Sequence, residues 1–212
     1  MERKAGMEAA AFQKFFFIGN NLCLDFINTE KRREGAILNL LPDFERLIRW
    51  LLEVKVLDSA SAEKVLHEWK QKTEGKQLLE EALAFRADLH GMIEGITKGK
   101  KVPPSTIDTI NRVLSHQAGY IELKRVRGGF KKGFQMDFSE PIRLLLPMAE
   151  AACDLLCYGD FSLIKKCENS VCVLFFYDTT KNHSRRWCSM KGCGNRIKVA
   201  AYYRRLRETP PV

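Results

Sequence analysis

The sequence has no apolar run longer than seven residues, Val171 to Tyr177. A membrane-spanning helix needs about 20, so none is expected. The first residues, MERKAGMEAAAFQKFFFIGN, carry charges but no apolar stretch leading to a small-residue cleavage site. A secretory signal is therefore not expected, and the protein is placed in the cytoplasm, where structural disulfides are rare. Histidine is scarce, with four in 212 residues. His67, His90 and His116 are scattered singly. There is no Ser/His/Asp or Cys/His arrangement, no glycine-rich phosphate loop and no two-histidine metal helix, so no enzyme is expected. Acidic residues are nearly absent from one stretch. Residues 165–207 contain only Glu168 and Asp178 against eleven lysines and arginines, a net of +9 that equals the charge of the whole chain. The rest is close to neutral. A strongly basic module on a neutral body is the electrostatic footprint of polyanion binding.

What is present in quantity is helical periodicity. With 45% hydrophobic and 29% charged residues, the chain has the material for a packed core. Helices are expected over Asn21–Thr29, Pro42–Glu53, Ser61–Lys72 and Leu78–Thr97, from apolar residues three and four apart. Gly99 to Pro104 breaks the pattern, and Ser105 is the expected cap of a helix carrying Ile107, Ile110 and Leu114. The period then drops to two. Tyr120–Arg127, Gly128-Gly129 and Phe130–Phe138 read as a β-hairpin. A last helix is expected from Ser139 to Gly159, with Pro147 kinking it or delaying its start. The fold class is thus mainly α. A helical N-terminal domain with one hairpin spans residues 1–160, and a small C-terminal module spans 161–212.

That module holds four cysteines, Cys167, Cys172, Cys188 and Cys193, spaced as C-x4-C, fifteen residues, C-x4-C. Two close thiol pairs delivered by separate turns suit one tetrahedral structural Zn²⁺. Two disulfides are the alternative, and His183 between the pairs would permit a site of three cysteines and one histidine. With four protein ligands no corner stays open for substrate, so the metal is structural rather than hydrolytic. Four thiolates and Zn²⁺ leave the module at about +7. Metal binding would supply much of its folding free energy, because Val173, Phe175 and Phe176 make only a small core. Cys23, Cys153 and Cys157 read instead as buried free thiols.

The segment Arg185 to Arg196, RRWCSMKGCGNR, resembles the signature of the CGNR zinc-finger family. Cys167-Glu168-Asn169-Ser170-Val171-Cys172 and Phe176-Tyr177-Asp178 match the same layout. The body resembles the ABATE domain, through Gly19 to Thr29 (GNNLCLDFINT), Phe85-Arg86 and Asn111. The resemblance implies a stress-induced bacterial transcription regulator. It also implies a treble-clef or ribbon-like zinc finger, ending in a basic helix and contacting DNA.

For DNA contact the candidates are Arg185, Arg186, Lys191, Asn195, Arg196, Lys198, Arg204 and Arg205. Phosphate contact is the main expectation, with Asn195 and Arg196 suited to base edges. Asn195 reads first as a helix cap or tight-turn residue, ahead of a base contact. Val199, Tyr202, Tyr203 and Leu206 share a helical face expected to pack on the finger or body. In the body, Asp25, Asn28, Arg86 and Asn111 are polar groups in apolar helices. They form either a small-molecule effector pocket centred on an Asp25–Arg86 pair or a structural network. The hairpin charges Lys124, Arg125, Arg127, Lys131 and Lys132 extend the DNA surface or keep an edge soluble. A homodimer would let two fingers read two half-sites. The alternative function is a zinc-ribbon module gripping a protein or RNA.

Overall fold

The computed structural model describes residues 14–33, 35–137 and 139–208. Phe138, the ends of the two expected units at 1–13 and 209–212, and most of the N-terminal stretch read for a signal lie outside the described residues. Among the described residues the chain is mainly helical and carries three two-stranded antiparallel hairpins. The order is α1 (Leu22–Ile27), β1 (Glu30–Arg33), β2 (Ala36–Asn39), α2 (Phe44–Glu53), α3 (Ser59–Trp69), α4 (Thr73–Thr97) and α5 (Pro104–Leu114). Then come β3 (Gly119–Val126), β4 (Gly129–Met136), a 3₁₀ turn (Pro141–Leu145), α6 (Leu146–Tyr158), β5 (Ile164–Lys166), β6 (Phe175–Tyr177) and α7 (Asn195–Glu208). Among the described residues, no helix is long and apolar enough to cross a membrane.

Local chemistry sets most helix starts. Asn21, Asp43 and Asp58 each accept a backbone N–H bond at the first turn of α1, α2 and α3. α5 differs from expectation. Pro103 and Pro104 begin it, and Ser105 lies one residue inside rather than at the cap. Their fixed φ suits the first turn, where no N–H bond is needed. Pro147 acts the same way in α6, so the last helix starts late, after the 3₁₀ turn.

α4 is the spine of the body. Phe85, Leu89, Met92, Ile93 and Ile96 are buried along it. Phe26 joins α1 to this core, with its ring 5.3 Å from Trp50 and 6.3 Å from Phe85. The core extends past the expected domain boundary, because Ile164 and Phe175 of the last hairpin belong to it. Phe175 therefore does not build the finger's own core, which consists of Leu174, Phe176 and the cysteines, flanked by Val173 and Trp187. Cys23 is fully buried, and burial pushes its thiol up to about 12. Cys153 is only half-buried and Cys157 is exposed, contrary to the expectation of two buried thiols. The β3–β4 arm exposes Tyr120, Ile121, Leu123 and Phe130.

Candidate zinc centre and basic helix

Two tight turns carry the thiols. In the first, the Cys172 N–H donates to the Asn169 carbonyl, and the Asn169 carboxamide oxygen accepts from Val171 N–H. In the second, Ser189 Oγ accepts from Gly192 N–H at 3.0 Å, and the Ser189 carbonyl accepts from Gly194 N–H. The four sulfurs converge, all within 4.8 Å of one another. Cys172 Sγ and Cys188 Sγ are 3.8 Å apart. Tetrahedral zinc with bonds of about 2.3 Å requires sulfur–sulfur edges of about 3.8 Å, so the donor set fits the ion. His183 lies apart from the cluster, its Nδ1 beside the Asp178 carbonyl. The site therefore offers four thiols, and the histidine alternative does not hold. Hydrogen bonds shared with the Cys172 and Cys188 thiols hold Cys167 below the usual thiol range, while the same sharing pushes Cys172 above it. Zn²⁺ takes the place of these shared protons.

A buried carboxylate braces the loop between the two pairs. Asp178 is fully buried and accepts from Lys165 Nζ, Thr180 N–H, Thr180 Oγ1 and Arg185 N–H. Burial alone would raise it, but these donors outweigh burial and hold it below the usual carboxylate range.

The expected pocket residues do not converge. Arg86 pairs with Glu30 at 2.8 Å, not with Asp25, and donates to Thr29 Oγ1 and Asn39 Oδ1. Asp25 Oδ1 instead accepts from the Ile18 and Gly19 N–H groups. Asn28 grips Phe175, and Asn111 is exposed. Three of the four are thus used in fixed internal contacts, two of them close to the body–finger joint. Burial pushes Asp25 up to about 6, against its two N–H donors and the Arg185 charge.

The joint was not read from the sequence. The Asn28 carboxamide bonds both backbone groups of Phe175, Tyr177 N–H donates to the Gly19 carbonyl, and Asn20 Nδ2 donates to the Tyr177 carbonyl and Thr179 Oγ1. Gly19 is required here, because a Cβ would come within 2.8 Å of Leu24 Cβ and 2.9 Å of the Asp25 amide. Arg185 is a strut of the same joint. It donates to the carbonyls of Ile18 and Trp187, and its guanidinium lies 4.0 Å from the Phe176 ring centroid. Arg186 pairs with Glu168 and stacks at 5.3 Å on Trp187. Arg185 is thus engaged within the molecule, whereas Arg186, though paired with Glu168, stays exposed.

The remaining candidates face solvent. Lys191, Asn195, Arg196, Lys198, Arg204 and Arg205 are exposed or nearly so along the zinc turn and α7. Asn195 sits where the tight turn passes into α7, as the residue that ends the turn and begins the helix. The apolar face of α7 is not packed as expected. Val199, Tyr202, Tyr203 and Leu206 are all more than half exposed.

Four cysteines at zinc-ligand spacing, carried on a helical body and followed by a basic helix, define a zinc-finger protein. The chain belongs to the ABATE family, whose model carries the description "putative stress-induced transcription regulator" and matches residues 20–159. The CGNR zinc-finger model matches residues 164–206. No curated protein matches the chain.

Proposed function

We propose that this is a cytoplasmic DNA-binding transcription regulator, with the finger as output and the body, residues 1–160, sensing a ligand or dimerising. The observation that carries this reading is α7 itself. It leaves the zinc turn directly, is largely exposed along its length, and displays a dense set of arginines and lysines. Arg196, Arg204 and Arg207 lie on one side of its apolar stripe, with Lys198 and Arg205 on the other. That arrangement suits a helix lying along a groove and touching both phosphate backbones. Lys191 adds a cation at the zinc turn. Asn195 and Arg196 stand at the helix start, where base edges are within reach of a helix entering a groove.

The exposed Tyr202–Tyr203 pair, with ring centroids 5.7 Å apart, favours a second reading. Adjacent exposed aromatics on a basic surface stack on unpaired bases, so RNA or single-stranded DNA would be the partner. Fluorescence anisotropy of the zinc-loaded protein tests both, with duplex DNA, single-stranded DNA and RNA across a salt series. Duplex binding with a steep salt slope supports the regulator. Binding confined to single strands supports the second reading, and no binding at low salt removes both.

A further inference from the structure

A cleft of about 870 Å³ opens between the body and the finger. On the body side lie the segment running from Lys14 to Ile18 and the β1–β2 hairpin. On the finger side lie the two cysteine turns and the start of α7. The lining combines two chemistries. Phe16, Ile18, Val171 and Leu174 offer an apolar surface. Lys14, Lys31, Arg32 and Arg196 supply positive charge. No aspartate or glutamate is among the described residues that line the cleft.

Neither the zinc ion nor DNA accounts for this combination. Three metal-binding cysteines border the cleft, but one ion fills only a small part of such a volume. A phosphate backbone needs a basic ridge and has no use for an apolar lining. A volume of this size, mostly apolar with a few charged groups, is instead typical of small-molecule sites, which run to about 300–1,000 Å³. The four cations outweigh the net −2 that four thiolates and Zn²⁺ place at the edge of the cleft, so the sign of the charge selects an anion, and the apolar lining selects one with a hydrophobic body.

We propose that this cleft binds an amphiphilic organic anion, a carboxylate or sulfonate on an aromatic or acyl body. The apolar body lies against Phe16, Ile18, Val171 and Leu174, and the anionic head takes the cationic side chains. The site spans the joint, so its occupant touches the body and the finger at once. Arg196 belongs both to this cleft and to the proposed DNA face. Occupancy therefore takes a cation from DNA and weakens DNA binding, and DNA weakens ligand binding by the same factor. This coupling rests on the DNA reading, whereas the site itself does not.

The test is calorimetry of the zinc-loaded full-length protein with decanoate, supported by the fluorescence of 8-anilinonaphthalene-1-sulfonate displaced by decanoate. The expected result is saturable binding of one decanoate per chain, with no binding of the cationic analogue decyltrimethylammonium. Val171→Glu places a negative charge in the cleft at an exposed position, and Arg32→Ala removes a cation on the body side. Each should weaken decanoate about tenfold or more, with zinc content checked to confirm an intact finger. Leu123→Glu, on the exposed β3–β4 arm, should change nothing. The proposal is overturned by absent saturable binding, by equal binding of the cationic amphiphile, or by sensitivity to Leu123→Glu instead of Val171→Glu and Arg32→Ala. In the anisotropy assay, saturating decanoate should lower DNA affinity. Decanoate binding with unchanged DNA affinity overturns the coupling. A protein that binds decanoate but no DNA overturns the regulator reading and supports the site.

Discussion

Asn28 holds Phe175 as a neighbouring strand would. Its Nδ2 donates to the Phe175 carbonyl at 2.8 Å, and its Oδ1 accepts from the Phe175 N–H at 2.9 Å. Both partners are buried, and 147 positions separate them in the chain. One side chain thus satisfies both backbone groups of a residue whose ring completes the body core.

Asn28→Ala leaves those two backbone groups buried without partners. The expected cost is about 2–4 kcal/mol, read as a lower unfolding midpoint in denaturant. Hydrogen exchange at the Phe175 amide should accelerate well beyond the exchange of α4. A variant as stable as the wild type, with Phe175 still protected, would remove Asn28 from the joint.

Zinc should bind at one ion per chain, and chelation should unfold the finger. The expected signature is loss of amide protection around Phe176 and Cys188–Gly194, with α4 losing much less. Cys188→Ser should lower zinc content and reproduce the chelated pattern. Full protection of both turns after complete metal removal contradicts a folding role for the ion.

Arg185 and Arg204 separate structure from binding. Arg204→Ala removes an exposed cation, so stability should hold while the slope of log K against log salt falls by about 0.9. Arg185→Ala removes donors to the Ile18 and Trp187 carbonyls, so the unfolding temperature should fall while the salt slope stays. The opposite pattern makes Arg185 the DNA contact.

Asp25 predicts a pH effect of definite sign. Its carboxyl is raised to about 6 in the folded protein, against about 3.9 in an unfolded chain. Between these values the folded state binds more protons, so this group's contribution falls as pH rises from about 4 to about 6 and is flat above. Asp25→Asn keeps an oxygen for the Ile18 and Gly19 amides and carries no charge. Relative to wild type, its unfolding temperature should gain across that window and stay higher at pH 7. Parallel profiles for the two proteins would show that Asp25 does not titrate there.

Features set by local spacing were legible in the sequence. The C-x4-C pairs place two sulfurs on each turn wherever the rest of the chain goes, and the helices announce themselves through apolar residues three and four apart. Features set by distant partners were not. Arg86 and Asp25 read as a natural pair, but α1 ends at Ile27, and the carboxylate that meets Arg86 is Glu30 at the start of β1. Asn28 reads as a polar oddity on a helix because its partner lies beyond the supposed domain boundary. The α7 stripe has real periodicity, but periodicity cannot say whether anything covers it. β1 and β2 have four residues each, too short for alternation to stand out.

The seat that Asn28 provides also bears on how the protein is made. Synthesis runs from the N-terminus, at roughly 5–20 residues per second in cells. Asn28 is therefore added to the chain roughly 7–30 s before Phe175. Once α6 has been made, the nascent body has its helices but lacks the ring that closes its core, and the Asn28 carboxamide has only water to bond. Completion of the first unit waits on the last quarter of the chain, so a message truncated before residue 175 yields a body that is helical but unsealed.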